Sequence, residues 1–218
     1  MNKGIIVIIG GDGCGKSTLI DRLKAKGYPT STWKDIGKCI DHTQVSEGLR
    51  SYVRLLTTTR LFPDLGPLSR FSLTLSLLFA EYEFCISPAL KKWGYIIVDS
   101  FYLKLLAREI VKHSQWPMLI NVNDFLPKPD LVILLVVPPE IGFERSFRRK
   151  AFISEYEVRE SPTKEDFVAF QQDVLEECRR LIGQIPIITI DGTLAAEEVC
   201  ENVCAHLPSK PSLIMEEL

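Results

Sequence analysis

The sequence predicts an α/β fold in three layers, a five-stranded parallel sheet with helices on both faces. Two features carry that expectation. Ile5-Ile6-Val7-Ile8-Ile9, Tyr95-Ile96-Ile97-Val98 and Leu131 to Val137 are continuous apolar runs. Strands covered on both faces read this way, whereas half-exposed strands alternate. Segments with helical apolar spacing separate these runs, and strand–helix–strand alternation builds parallel sheets with few allowed topologies.

After the first strand, Lys16 to Lys26 reads as a helix with Leu19, Ile20 and Leu23 on one face, stopped at Gly27. A short strand is expected around Pro29 to Trp33. Thr43 to Thr58 has helical spacing, and Pro63 and Pro67 interrupt the next stretch. Leu68 to Trp93 reads as one long helix, buried along most of its surface, with Pro88 ending or kinking it. Beyond the second clear strand, Phe101 to His113 is helical. Pro138-Pro139 closes the third. Glu140 to Lys150 is a basic helix and Pro162 to Ile182 an amphipathic one. Ile185 to Ile190 is the last strand and Leu194 to Leu207 the last helix. This gives one domain over residues 1–207 and a tail over 208–218.

Composition bounds the function. Of 218 residues, 46% are apolar and 25% charged, which suits a folded soluble chain. The 26 basic and 28 acidic residues leave a net charge of −2, so no global field favours nucleic acid or an anionic membrane as partner. No stretch reads as a membrane span. Met1-Asn2-Lys3-Gly4 runs directly into a strand, without a signal-peptide pattern. The six cysteines (Cys14, Cys39, Cys85, Cys178, Cys200, Cys204) lack C-x-x-C spacing and read as free thiols. A cytoplasmic location is the expectation.

Gly10-Gly11-Asp12-Gly13-Cys14-Gly15-Lys16-Ser17 fits G-x-x-x-x-G-K-[ST], the P-loop, and lies between a buried strand and a helix start. Glycines let main-chain amides turn toward phosphates, and the helix N-terminus adds partial positive charge. The amides of Gly13, Cys14, Gly15, Lys16, Ser17 and Thr18 are expected to cradle the phosphates of ATP. Lys16 reaches the β- and γ-phosphates, and Ser17 binds Mg²⁺. Cys14 sits where a helix N-terminus can activate a thiol. Asp99 ends a buried strand at the edge where open α/β sheets place ligands. It is a candidate for the Mg²⁺ shell or for accepting a proton. Arg145 and Arg149 stand four apart on the basic helix, so they share a face. One guanidinium can stack on a purine while the other neutralises phosphate. His42, His113 and His206 have no metal-ligand spacing.

Together these residues resemble the thymidylate kinase family of P-loop nucleoside monophosphate kinases, from Ile5 to about Leu207. The P-loop is similar to G-x-[DE]-G-x-G-K-[ST]. Leu77-Leu78-Phe79-Ala80 resembles the start of L-L-F-A-A-D-R, and Ile97-Val98-Asp99-Ser100-Phe101 the strand end D-R-Y. Ile190-Asp191-Gly192-Thr193 resembles the loop that borders adenine. The resemblance implies a P-loop NTPase fold with a mobile lid near residues 145–160. It puts Gly10 and Thr193 at the nucleotide, Arg145 on adenine, Arg149 with Arg148 over the transferring phosphoryl group, and Asp12 at the acceptor's sugar. Lys16, Asp99, Arg149 and Asp12 then form the catalytic set, and a homodimer through helices is implied.

The acceptor half departs from the pattern. The arginine of F-A-A-D-R falls at Glu83 and that of D-R-Y at Ser100; the tyrosine and glutamine of A-Y-Q fall at Arg108 and Glu109. No R-E-P follows the second strand, where Trp33-Lys34-Asp35 stands. Thymidylate is therefore not the expected acceptor, because a dianion opposite Glu83 without arginine is poorly compensated. Other cations (Arg50, Arg54, Arg60, Arg70, Arg108) can take over, or the acceptor carries no phosphate. The readings open at this point are a nucleotide kinase, a kinase of a nucleoside or other small hydroxyl compound, and a P-loop switch or NTPase. The last lacks an obvious switch glutamine or an N-K-x-D.

Overall fold

The computed structural model describes residues 4–32, 35–39, 47–48, 51, 66–113, 123, 125–148 and 163–210. Of the expected helix over 43–58 only residues 47, 48 and 51 are among them, all helical; Arg149, the lid beyond residue 148 and the tail beyond residue 210 lie outside.

Five strands, β1 (Gly4–Gly10), β2 (Thr30–Ser31), β3 (Tyr95–Asp99), β4 (Leu131–Val136) and β5 (Ile187–Asp191), form one sheet in the order β2-β3-β1-β4-β5. Every pairing is parallel. The helices are α1 (Lys16–Ala25), α2 (Ile36–Cys39), α3 (Pro67–Glu81), α4 (Ser87–Trp93), α5 (Phe101–Lys112), α6 (Pro139–Arg148), α7 (Lys164–Ile182) and α8 (Ala196–Cys204). β1 explains the layering. Its Ile5, Val7 and Ile9 face a core shared with α3, α5 and α7, whereas Ile6 and Ile8 face a second core shared with α1 and α8. Both faces of the strand are apolar because both are covered.

Register brings the strand ends together. Ile8 pairs with Asp99, Gly10 with Leu135, and Val136 with Asp191. The loops leaving β1, β3 and β5 thus open at one carboxyl edge, flanking the place where the strand order reverses around β1.

Two expectations need correction and one is made specific. Pro88 does not end the long helix but is preceded by a local distortion: a π turn at Tyr82–Ile86, with Ser87 N–H reaching Tyr82 O. Proline has no N–H and its ring crowds the carbonyl one turn back, so the wider turn absorbs the misfit and α4 continues to Trp93. The helix is also less buried than expected. Phe71, Leu77, Leu78, Cys85 and Ile86 are covered, but Leu68 and Phe79 are 49% and 38% exposed. By length and composition, Phe71–Trp93 is the one helix among the described residues apolar enough to cross a membrane, with 28% of its most apolar window buried. Its inner side packs into the core beside α5 through Phe71, Leu78 and Ile86.

The third concerns cysteine. Cys39 and Cys85 form a disulfide, with Cα atoms 5.6 Å apart across 46 residues of sequence. Packing of α2 against the π turn brings them together, which no local spacing signals. Cys14, Cys178, Cys200 and Cys204 are free thiols.

Candidate active site

The P-loop joins β1 to α1. Gly15 takes a left-handed conformation at φ 96°, and no side chain caps the helix behind it. The amides of the first helical turn therefore face outward, where an anion can take them. Gly13 is left-handed as well, at φ 76°. A Cβ on Gly13 would overlap the main chain of Gly142 in α6, and a Cβ on Gly142 would overlap the Asp12 carbonyl. Loop and helix thus pack main chain on main chain, which fixes the P-loop against α6.

Lys16 turns back over its loop. Its Nζ donates to Gly10 O at 2.9 Å and Gly11 O at 3.2 Å, and lies 3.7 Å from Cys14 Sγ. Burial opposes the ammonium, but the Cys14 sulfur and the Asp12 and Asp99 carboxylates outweigh it and hold Lys16 above its ordinary pKa. Lys16 is therefore a fixed positive charge at working pH. Cys14 is 3% exposed, tucked beneath the loop. Ser17 is exposed on the first turn of α1, next to half-buried Thr18.

Asp12 is held from two sides. Lys104 Nζ donates to its Oδ1 at 2.5 Å, and Gln171 Nε2 donates to its Oδ2 at 3.0 Å. Asp12 N–H donates in turn to Gln171 Oε1 at 2.8 Å. Lys104 comes from α5 and Gln171 from α7; both are buried. Sequence reasoning missed these two residues. A usable signal existed: each is a polar residue on an apolar helix face, Lys104 between Phe101 and Ala107, Gln171 between Phe167 and Val174. Lysine in such a place is rare unless paired.

Asp99 ends β3 half-buried and accepts from Ser100 Oγ at 3.0 Å. Ser100 and Phe101 are left-handed at φ 60° and 43°. Two successive non-glycine residues in that region store roughly 1–3 kcal/mol each, and such strain clusters at functional turns. Ser100 N–H donates to Ile8 O at 2.9 Å, tying the strained turn to β1. Glu83 is exposed, and Glu109 faces His113 at 3.8 Å.

The far side of the loop forms a cavity of about 210 Å³, lined in part by Gly13, Cys14, Gly15, Thr18, Arg145 and Gly192. Arg145 Nη1 donates to Gly192 O at 3.1 Å and Gly13 O at 3.4 Å, bridging the P-loop and the loop after β5. Thr193 turns away: its amide and hydroxyl both donate to Asp191 Oδ1, at 2.8 and 2.6 Å. It shapes the loop, while Gly192 and Leu194 on either side line the cavity. The structure thus gathers Gly10, Asp12, Gly13, Cys14, Gly15, Lys16, Ser17, Thr18, Asp99 and Arg145 around one edge.

Comparison with known proteins agrees with this geometry. The family model described as thymidylate kinase matches residues 8–203. The chain belongs to the thymidylate kinase family. A probable thymidylate kinase of Archaeoglobus fulgidus is 26% identical over 91% of this chain and 92% of its own length. The thymidylate kinase of Xylella fastidiosa is 25% identical over 98% and 91%. Probable thymidylate kinase 2 of Saccharolobus solfataricus, 29% identical, aligns over 59% of this chain and 65% of that protein. Among solved structures, deoxyadenosine kinase from M. mycoides, with products dCMP and a flexible dCDP bound, superposes at TM-score 0.59 and 20% identity. It covers 93% of this chain and 97% of that one, and shows the shared fold. As a member of this family the chain is an ATP-dependent nucleotide kinase, a phosphotransferase.

Proposed function

We propose that this thymidylate kinase family member transfers the γ-phosphoryl group of Mg·ATP to a nucleoside 5′-monophosphate. The observation that carries the reading is the P-loop, whose outward amides and permanently charged Lys16 stand beside an arginine-roofed cavity. The amides of residues 13–18 hold the donor phosphates. Lys16 leaves its carbonyl contacts to stabilise charge on the transferring group. Ser17 and Asp99 supply hydroxyl and carboxylate oxygens, the hard donors that suit Mg²⁺, which usually takes one or two protein oxygens beside substrate phosphates. Bound there, the ion would neutralise charge on the phosphates. Arg145 lies over the donor base. Arg149, with Arg148, belongs to the lid that closes on the phosphoryl group and excludes water.

A monophosphate is already ionised near neutral pH and needs no general base, so Asp99 is left to the metal shell and to acceptor orientation. Ser100 and Glu83, where the motifs that the chain resembles have arginine, favour a second reading in which the acceptor is a nucleoside and Asp99 takes its proton. A coupled assay with matched nucleosides and monophosphates separates the two. Turnover of monophosphates alone supports the first reading, and turnover of nucleosides alone supports the second. Hydrolysis indifferent to any acceptor rejects both.

Arg145→Ala is expected to raise the KM for ATP about tenfold, roughly 1.4 kcal/mol, with kcat changed much less. The arginine contributes contact to the donor rather than to the reacting atoms. Steady-state kinetics at saturating acceptor reads this split.

The same reading puts the enzyme in the cytoplasm and makes it a homodimer. Exposed Leu68 and Phe79 on α3 offer apolar contact for a second copy. Sedimentation velocity at assay concentration tests this, and a monomer there removes it.

A further inference from the structure

We propose that Lys104 is the cation that receives the acceptor's phosphate, with Asp12 as its counter-ion while no acceptor is bound. The inference rests on the monophosphate reading above. Three observations converge on it. The first is position. Lys104 lies four residues beyond Ser100, one helical turn along α5 from the place where the resembling motif has arginine. A positive charge lost at the strand end thus reappears on the following helix.

The second is burial and company. Lys104 is only 7% exposed and ion-paired with Asp12 of the P-loop, the loop over which Lys16 folds back onto the Gly10 and Gly11 carbonyls. Two ammonium groups and two carboxylates, Asp12 and Asp99, balance one another at the mouth of a phosphate cradle.

The third is how the contacts divide. Lys104 holds one oxygen of Asp12 while Gln171 holds the other and also accepts from the Asp12 amide. Asp12 therefore keeps its position and part of its hydrogen bonding when Lys104 leaves. A flexible four-carbon stem lets the ammonium move to a nearby phosphate. A dianion attracts it more strongly than one carboxylate does at similar distance. The phosphate would be caught between Lys104 and Lys16, opposite the donor.

The test uses the full chain with dTMP, dCMP, dAMP and dGMP as acceptors and the matching nucleosides as competitive inhibitors. The readout is the monophosphate KM divided by the Ki of the same nucleoside. That ratio isolates recognition of the phosphate from recognition of sugar and base. Lys104→Met is expected to raise it at least tenfold, with the Kd of a fluorescent ATP analogue within twofold of wild type. Lys104→Arg should return it to within threefold. Should Lys104→Met fold poorly, Asp12→Asn/Lys104→Met removes the buried pair as a unit and should show the same raised ratio. An unchanged ratio in the folded variant overturns the assignment of Lys104 and leaves the monophosphate reading standing. So does a parallel rise in KM and Ki. Wild-type enzyme that phosphorylates only the nucleosides rejects both together.

Discussion

Lys16→Ala is expected to lower kcat by about 10³-fold, the upper range for losing one preorganised donor to developing charge. The cause is visible in the loop. The Lys16 ammonium sits between main-chain carbonyls of Gly10 and Gly11, with Asp12 and Asp99 sustaining its charge. No other described cation is tethered to those carbonyls in this way. Bound donor phosphates replace the carbonyls as partners, so the charge is already in place when the transferring group expands toward its transition state. Lys104 does not substitute, because its ammonium is held by the Asp12 carboxylate and not by the loop carbonyls. Affinity for ATP should fall far less than kcat, since the amides of α1 and the Arg145 cavity remain. Single-turnover measurements with saturating ATP and acceptor check this. A kcat within tenfold of wild type would contradict the placement of Lys16 at the reacting phosphoryl group.

Legibility in the sequence depends on where the determining contacts lie. β1, β3 and β4 are continuous apolar runs, and such runs are legible because burial on both faces removes alternation. The P-loop is legible because its parts are contiguous, and strand, turn and helix start each have local signatures. β2 is only Thr30–Ser31, too short for a pattern, and its place beside β3 comes from the sheet rather than from its own residues. The long helix misled because apolar content does not say which face is covered: Phe79 belongs to the same run as Leu77 and Leu78 but faces outward. The surroundings of Asp12 were least legible. Asp12 meets Lys104 across 92 residues and Gln171 across 159, contacts that exist only once α5 and α7 are packed on the sheet. Expecting Asp12 at the acceptor's sugar left both of its partners unnamed. The Cys39–Cys85 bond was hidden for the same reason.

Those same tertiary contacts make the stability of the enzyme depend on pH through Glu81. Its side chain is 1% exposed and accepts from Ser31 Oγ at 2.9 Å. Burial pushes the carboxyl up from 4.5 to about 7; Asp99 and Asp35 reinforce the rise, and the Ser31 hydrogen bond works against it. A carboxyl raised on folding keeps its proton in the native state after the unfolded chain has lost one. Stability is then full below about pH 4.5 and falls as pH climbs toward 7, beyond which the buried charge imposes its whole cost. The interval corresponds to roughly 3 kcal/mol as an upper figure. Glu81→Gln keeps an oxygen for Ser31 and removes the ionisation. It is therefore expected to match wild type near pH 5 and to exceed it by up to about 3 kcal/mol at pH 8.5. Denaturant titrations of both proteins at the two pH values measure the difference. Parallel stability curves would show that Glu81 titrates alike folded and unfolded. A variant weaker at pH 8.5 would mean that the ionised carboxylate is itself stabilised in the folded protein.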